Sequence, residues 1–192
     1  MPRIAALLAA GGGTRFGGST HKLLAPLDGK PVWQHALEAV AAAMFDRIVL
    51  VTGAVDLVVP PALATRVERL HHAAWADGQA GSLQVAVAAA RAAGADALTV
   101  GLADQPFIPT SAWNAVAAAP PQCRVVVAEY DGLPGPHPVR LAAAVWPELP
   151  TAGDHGAGKV IREHTDDLCR VACLGSVADI DTLEDLDRWN GC

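Results

Sequence analysis

The chain has 192 residues, enough for one ample α/β core and too few for a comfortable second domain, so a single domain over 1–192 is expected. Its 14 basic and 20 acidic residues give a formal charge of −6, which speaks against a general nucleic-acid surface and against an anionic-membrane patch. Hydrophobic residues make up 52%, much of it alanine, yet polar or charged residues interrupt every apolar run well before the roughly 18 needed to span a bilayer.

Ile4 to Leu8 is an apolar strand that runs into small residues and then five glycines in the eight positions Gly11 to Gly18. No strand or helix survives that glycine density. Glycine tolerates positive φ and lacks a Cβ, so such a loop can turn several N–H groups toward one anion. Arg15 and Lys22 add fixed cations, and a polyphosphate suits the combination. Arg3 followed by Ile4 to Ala10 loosely imitates a leader peptide, but its removal would delete the strand that anchors the loop, so a cytoplasmic protein is expected.

Leu23 to Pro31 reads as a short extended piece and a turn, with Pro31 suited to a helix's first turn. Leu37, Val40, Ala41 and Met44 form an apolar stripe through about Phe45, and Arg47 to Val51 is a buried strand, completing a βαβ unit. Pro60-Pro61 closes whatever short helix precedes it; Thr65 to Leu70 is the next strand and His71 to Ala80 a loop. A helix starts near Ser82, with Gly94 at its C-terminal cap, and Ala97 to Leu102 is a strand whose end places Asp104 where open α/β sheets bind ligands. Pro109 to Ala118 is helical and Arg124 to Ala128 a strand. The proline and glycine density between Tyr130 and Val139 implies a loop or hairpin over the crevice. Arg140 to Trp146 and Gly156 to His164 read as helices, Leu168 to Cys173 as a last strand, and Thr182 as the cap of a terminal helix. The alternation specifies a three-layer α/β fold with a mostly parallel, Rossmann-like sheet. Cys123, Cys169, Cys173 and Cys192 show no CxxC spacing, and reduced thiols are expected.

Two familiar glycine motifs fail. A dinucleotide pattern starting at Gly11 puts Phe16 at the third glycine, and no acidic residue closes the strand near Val51; the P-loop pattern needs Lys after Gly17 and finds Gly18 and Ser19. What remains resembles another signature. Leu8-Ala9-Ala10-Gly11-Gly12-Gly13-Thr14-Arg15-Phe16-Gly17 with Lys22-Leu23-Leu24 is similar to that of nucleotidyltransferases of the molybdenum-cofactor type, and within them to the molybdenum cofactor cytidylyltransferases. The likeness continues through Asp104-Gln105-Pro106, Gly153-Asp154-His155-Gly156-Ala157 and Asp179 to Leu186, nearly the whole chain.

The resemblance implies a fold of the nucleotide-diphospho-sugar transferase type and transfer of CMP from CTP to molybdenum-bound molybdopterin. It implies that Leu8, Ala9, Ala10, Gly11, Gly13, Thr14, Arg15 and Lys22 bind the nucleotide, with Arg15 and Lys22 on its triphosphate, and that Gly78, Gly81 and Ser82 lie near base and ribose. Ser82 is equally readable as a helix N-cap. Arg15, Lys22 and Asp104 are implied as catalytic, with Asp104 and Asp181 as ligands of Mg2+ and Asp179 as the rival to Asp181. Ala10 favours CTP, since Leu-Ala-Ala-Gly accompanies CTP in that family and Leu-Ala-Gly-Gly the guanylyl relatives. His137 and Asp154 are implied on the acceptor side, where Pro136 is an extra residue and Gly158-Lys159 stands in place of an arginine. The implied partners are a molybdenum-insertion protein and an apo-molybdoenzyme. A transferase of the same fold using GTP or a different phosphorylated acceptor, and a non-catalytic nucleotide-binding module, stand as alternatives.

Overall fold

The computed structural model describes residues 1–18, 20–131 and 133–190, with the backbone alone described at 133–136. Nine strands and five α-helices follow in chain order among the described residues: β1 (Ile4–Ala9), β2 (Pro26–Leu27), β3 (Lys30–Pro31), α1 (Val32–Ala41), β4 (Arg47–Thr52), β5 (Val67–His71), α2 (Gln79–Ala92), β6 (Ala97–Leu102), α3 (Thr110–Ala117), β7 (Val125–Tyr130), β8 (Leu133–Ala142), α4 (Gly158–Glu163), β9 (Leu168–Cys173) and α5 (Leu183–Asn190). Seven strands form one sheet in the order β5-β4-β1-β6-β8-β7-β9, in which β8 alone runs antiparallel to its neighbours. β2 and β3 form a separate small ribbon.

Two-residue periodicity divides the core into two slabs. Along β1, Ala5, Leu7 and Ala9 face the slab that includes α1 and α3, with Leu37, Val40, Trp113 and Val116. Ile4, Ala6 and Leu8 face the other, with Leu83, Val87 and Ala90 of α2 and Val160 of α4. A strand buried on both faces needs an uninterrupted apolar run, and β1 and β4 have one. The chain leaves β1 for β4 and β5 on one side, then returns through α2 to β6 on β1's other side. The carboxyl ends of β1 and β6 therefore flank the reversal in strand order, where a crevice opens.

Several expectations fail for identifiable reasons. Arg140 to Trp146 is not an α-helix. Val139 and Leu141 alternate with Arg140 in β8, and a 3-10 turn follows from Ala143 to Glu148. Short apolar runs fit either periodicity, and here β8 fills the gap between β6 and β7. Arg140 sends its guanidinium to the carbonyl oxygens of Ala117, Ala119, Pro120 and Cys123. α1 stops at Ala41 rather than near Phe45, because Arg66 donates to the carbonyl oxygens of Ala41, Ala43 and Phe45, leaving Met44 exposed. Pro60-Pro61 does not close a helix but leads into a 3-10 turn, Pro61–Leu63. The reduced-thiol expectation is also corrected: Cys123 and Cys169 are disulfide-bonded, with Cα atoms 5.6 Å apart. The adjacency of β7 and β9 brings them together, which needs no CxxC spacing. Cys173 is a free thiol, and Cys192 lies outside the described residues.

Candidate functional site

The crevice is a cavity of about 370 Å3 lined on one side by Leu8 to Arg15 and Lys22, and on the other by Trp75, Gly78, Gln79 and Ser82, with Asp104, Asp154 and Asp181 completing it. The glycine loop is shaped by anchors at its end. Phe16 is buried with Ala25, Leu27, Ile180 and Leu186 and donates its N–H to the carbonyl of Gly13. His21, which sequence reading passed over, fastens the start of the loop. Its Nδ1 accepts from the N–H of Leu23, which leaves Nε2–H to donate to the carbonyl of Gly11 at 3.0 Å. Burial holds the imidazole below its usual pKa, consistent with that neutral form.

Charge gathers at the cavity floor. The ammonium of Lys22, whose side chain is 11% exposed, lies 2.5 Å from Asp104 Oδ2 and 2.7 Å from Asp181 Oδ1. Arg15 reaches Asp181 Oδ2 at 2.8 Å from a position 77% exposed. Burial pulls the Lys22 pKa down, but Asp104 and Asp181 outweigh it and hold the ammonium above the ordinary lysine value. These residues are brought together by strand ends. Ala103 N–H bonds to the carbonyl of Leu8, and Ile180 N–H bonds to that of Asp104, so β1, β6 and the segment before α5 are tied at one point. Asp181 is held by its own helix entry: Thr182 Oγ1 accepts from Asp185 N–H, while Asp185 Oδ2 accepts from the N–H groups of Asp181 and Thr182. The hydrogen bond from Thr182, chiefly, keeps the Asp185 carboxyl below its usual range.

The opposite wall depends on two close backbone approaches. Gly78, at φ +113, caps α2 and lies against Gly153, whose carbonyl carbon a Cβ would meet at 2.4 Å. Ala80 N–H bonds to the Gly153 carbonyl, which presents Asp154 to the cavity. Gly53 leaves room for Trp75, whose Cβ would lie 2.6 Å from a Cβ built there. The indole thus stands beside Gly12, forming a wall that sequence reading missed; a tryptophan in a loop between a strand end and a helix start was the available signal.

Of the anticipated nucleotide residues, Leu8, Ala9, Ala10, Gly11, Gly13, Thr14, Arg15, Lys22, Gly78 and Ser82 line the cavity. Gly81 does not. It lies inside the first turn of α2 and packs against the ring of His72. Ser82 is the fourth residue of α2 and so cannot be its N-cap, since the helix begins at Gln79. His137 also stays outside the lining, with its Nδ1 enclosed and unpartnered. Burial lowers its pKa to about 4 despite the opposing pull of Asp104, so the ring is neutral. Between the late aspartates, Asp181 faces the cavity and Asp179 does not. The Asp179 carboxyl is pushed up by its partial burial first and by Asp104 second.

A divalent cation fits this donor set. Asp104 Oδ1 is enclosed without a hydrogen-bond partner, its other oxygen and Asp181 Oδ1 already converge on one cation, and two carboxylates with water and phosphate oxygens suffice for magnesium. Among the described residues there is no cluster of three or more acidic, His or Cys side chains able to hold a metal alone.

A family model described as the MobA-like NTP transferase domain matches residues 5–168. The structure of Rv0371c from Mycobacterium tuberculosis superposes with a TM-score of 0.81 at 25% identity, covering 100% of this chain and 99% of that one. A second structure of that protein, in complex with manganese, gives a TM-score of 0.76 with the same identity of 25% and the same coverage of 100% and 99%. Residues of the chain are 63% identical to the 2-C-methyl-D-erythritol 4-phosphate cytidylyltransferase of Rhodopirellula baltica over 30 residues, 16% of this chain and 12% of that protein. They are 39% identical to the bifunctional protein GlmU of Gluconacetobacter diazotrophicus over 94 residues, 45% of this chain and 20% of that one. The matches thus span 12% and 20% of the length of these curated relatives. No helix among the described residues is long and apolar enough to cross a membrane.

Proposed function

The chain belongs to the MobA-like NTP transferase family, and from that membership we propose that it transfers CMP from CTP to the phosphate of molybdenum-bound molybdopterin, releasing pyrophosphate and forming the cytosine dinucleotide. The observation that carries nucleotidyl transfer is the cluster of Arg15, Lys22, Asp104 and Asp181 at the mouth of a glycine loop. A phosphate monoester has its second pKa near 6, so the nucleophile is already mostly dianionic at neutral pH and no strong base is needed. The difficulty is bringing two polyanions together in line. The N–H groups of the glycine loop, Arg15 and Lys22 supply positive potential along the triphosphate, while the wall from Trp75 to Ser82 confines base and ribose. Held by Asp104 and Asp181, Mg2+ would neutralise phosphate charge at the reacting centre.

Cytosine is favoured by Ala10. Ala10 lines the cavity, and what supports CTP is the Leu-Ala-Ala-Gly form of the loop that it completes. Asp154 faces the cavity and is the acceptor-side residue of choice; His137 lies outside the lining, and Gly81 supports α2. The corresponding partners are a molybdenum-insertion protein that supplies the acceptor and an apo-molybdoenzyme that takes the product, in the cytoplasm.

The segments shared with GlmU and with a sugar-alcohol phosphate cytidylyltransferase favour a second reading, the same chemistry on a different phosphorylated acceptor. Mass spectrometry of the product formed from labelled CTP or GTP with molybdopterin tests both. A cytosine dinucleotide is expected. A guanine product overturns the base assignment, and transfer only to a sugar or polyol phosphate overturns the acceptor. Normal nucleotide binding with no pyrophosphate release from any NTP and acceptor pair leaves a binding module.

A further inference from the structure

We infer that Lys22 makes the binding of the divalent cation and of the nucleotide mutually dependent, by occupying the metal's place until a triphosphate draws it away. The inference rests on the proposed metal site at Asp104 and Asp181. The four charges pair with one another. Asp104 Oδ2 and Asp181 Oδ1 both bind the Lys22 ammonium, and Asp181 Oδ2 binds Arg15. The two anions suited to a dication therefore carry the two cations suited to a triphosphate.

A dication arriving alone must expel an ammonium that is nearly enclosed and whose hydrogen bonds go to these two carboxylates. The displaced charge then sits in a partly desolvated place with no anion offered in return. A triphosphate arriving alone faces the reverse difficulty, since it must draw Lys22 from two carboxylates and lie beside them. Together the ligands exchange ion pairs without losing any. The carboxylate–ammonium pairs give way to carboxylate–metal and ammonium–phosphate pairs. Each ligand then raises the affinity for the other, and linkage makes the effect reciprocal. Lys22 carries it more than Arg15, because Arg15 is largely exposed and its pair with Asp181 is screened.

Direct metal–phosphate contact also couples the two ligands, so the decisive quantity is the affinity for the metal alone. Mn2+ is titrated into the nucleotide-free protein, with free Mn2+ read by its electron paramagnetic resonance signal, for the wild type, Lys22→Met and Arg15→Gln. Lys22→Met is expected to bind Mn2+ more tightly than the wild type by about 5- to 150-fold, the usual range of site-to-site coupling. Arg15→Gln should gain less. Equal affinity of wild type and Lys22→Met overturns the inference while leaving the metal site standing. If neither protein binds Mn2+, even with a non-hydrolysable CTP analogue, the metal site itself fails and the inference falls with it. Wild-type crystals provide a variant-free check. Soaked in Mn2+ alone, they should keep Lys22 between the two carboxylates; with Mn2+ and the analogue, Lys22 should have moved to a phosphate oxygen. Mn2+ seated alone with Lys22 displaced overturns the proposal.

Discussion

Lys22 and Arg140 are equally buried cations, each 9% exposed, at opposite ends of the sheet. Lys22 sits where the parallel strands end and is answered by two carboxylates. Arg140 belongs to the far end, beside the cavity of about 220 Å3 near Arg3, Asp96 and Thr99. It is answered by four carbonyl oxygens from residues 117–123, and burial pulls its pKa down. The difference lies in what can be exchanged. Carbonyl oxygens are fixed in the chain and neutral, so Arg140 pins the turn between α3 and β7. Carboxylates can accept another cation, so the partners of Lys22 are open to replacement by ligands. One burial level thus pins a turn at one end and, on the reading proposed above, holds an exchangeable ion pair at the other.

Asp104→Asn should break the exchangeable end alone. Turnover, followed as pyrophosphate release, should fall about 1,000-fold, as when a preorganised charge at a reacting phosphate is lost, while the thermal midpoint stays near wild type. Undiminished turnover would remove Asp104 from the chemistry. Arg140→Met should do the reverse. Leaving the buried carbonyl oxygens of Ala119 and Cys123 unsatisfied lowers unfolding free energy by about 4 kcal/mol in denaturant titration, with kcat per folded molecule unchanged. A selective loss of kcat would show that the two ends are coupled.

His137 tests the boundary between them, since it lies on β8 like Arg140 yet senses Asp104. Its folded pKa of about 4 is below the ordinary value of 6.5, so the unfolded chain takes up a proton that the folded one refuses. Its contribution is present above about pH 6.5 and lost as pH falls toward 4, by up to about 3 kcal/mol. Denaturant titrations across that range should show the slope, and His137→Gln should flatten it. Thr182→Ala is the smallest perturbation. Losing the cap of α5 should lower stability by about 1 kcal/mol and raise KM for the nucleotide more than it changes kcat, because Asp181 precedes that cap. A stability loss with unchanged KM would separate the helix entry from the site.

The parts of the fold legible in the chain are those written in neighbouring residues. β1, β4 and β6 announce themselves by apolar runs, α1 and α2 by their stripes, and the loop by its glycines. β8 was illegible because the run from Val139 to Trp146 satisfies both periodicities, and the competition was settled by the open position between β6 and β7. At the site, the glycine loop and the residue types of Arg15, Lys22 and Asp104 stood out, whereas His21 and Trp75 did not. The role of His21 arises from a hydrogen bond to Gly11, which leaves no local mark in the sequence, and that of Trp75 from packing over Gly12 and Gly53, signalled only by its being a tryptophan in a loop.

The sequence by itself determined a three-layer α/β fold with a mostly parallel sheet and a loop shaped for an anion, because strand alternation and glycine stereochemistry act within a few residues. Only the tertiary structure decided which charges meet. Lys22 is 82 residues from Asp104 and 159 from Asp181, and they converge because the ends of β1 and β6 are hydrogen-bonded side by side and the entry to α5 is tied to Asp104. Electrostatic partnership depends on distance in space, and that distance is set by strand order rather than by spacing along the chain.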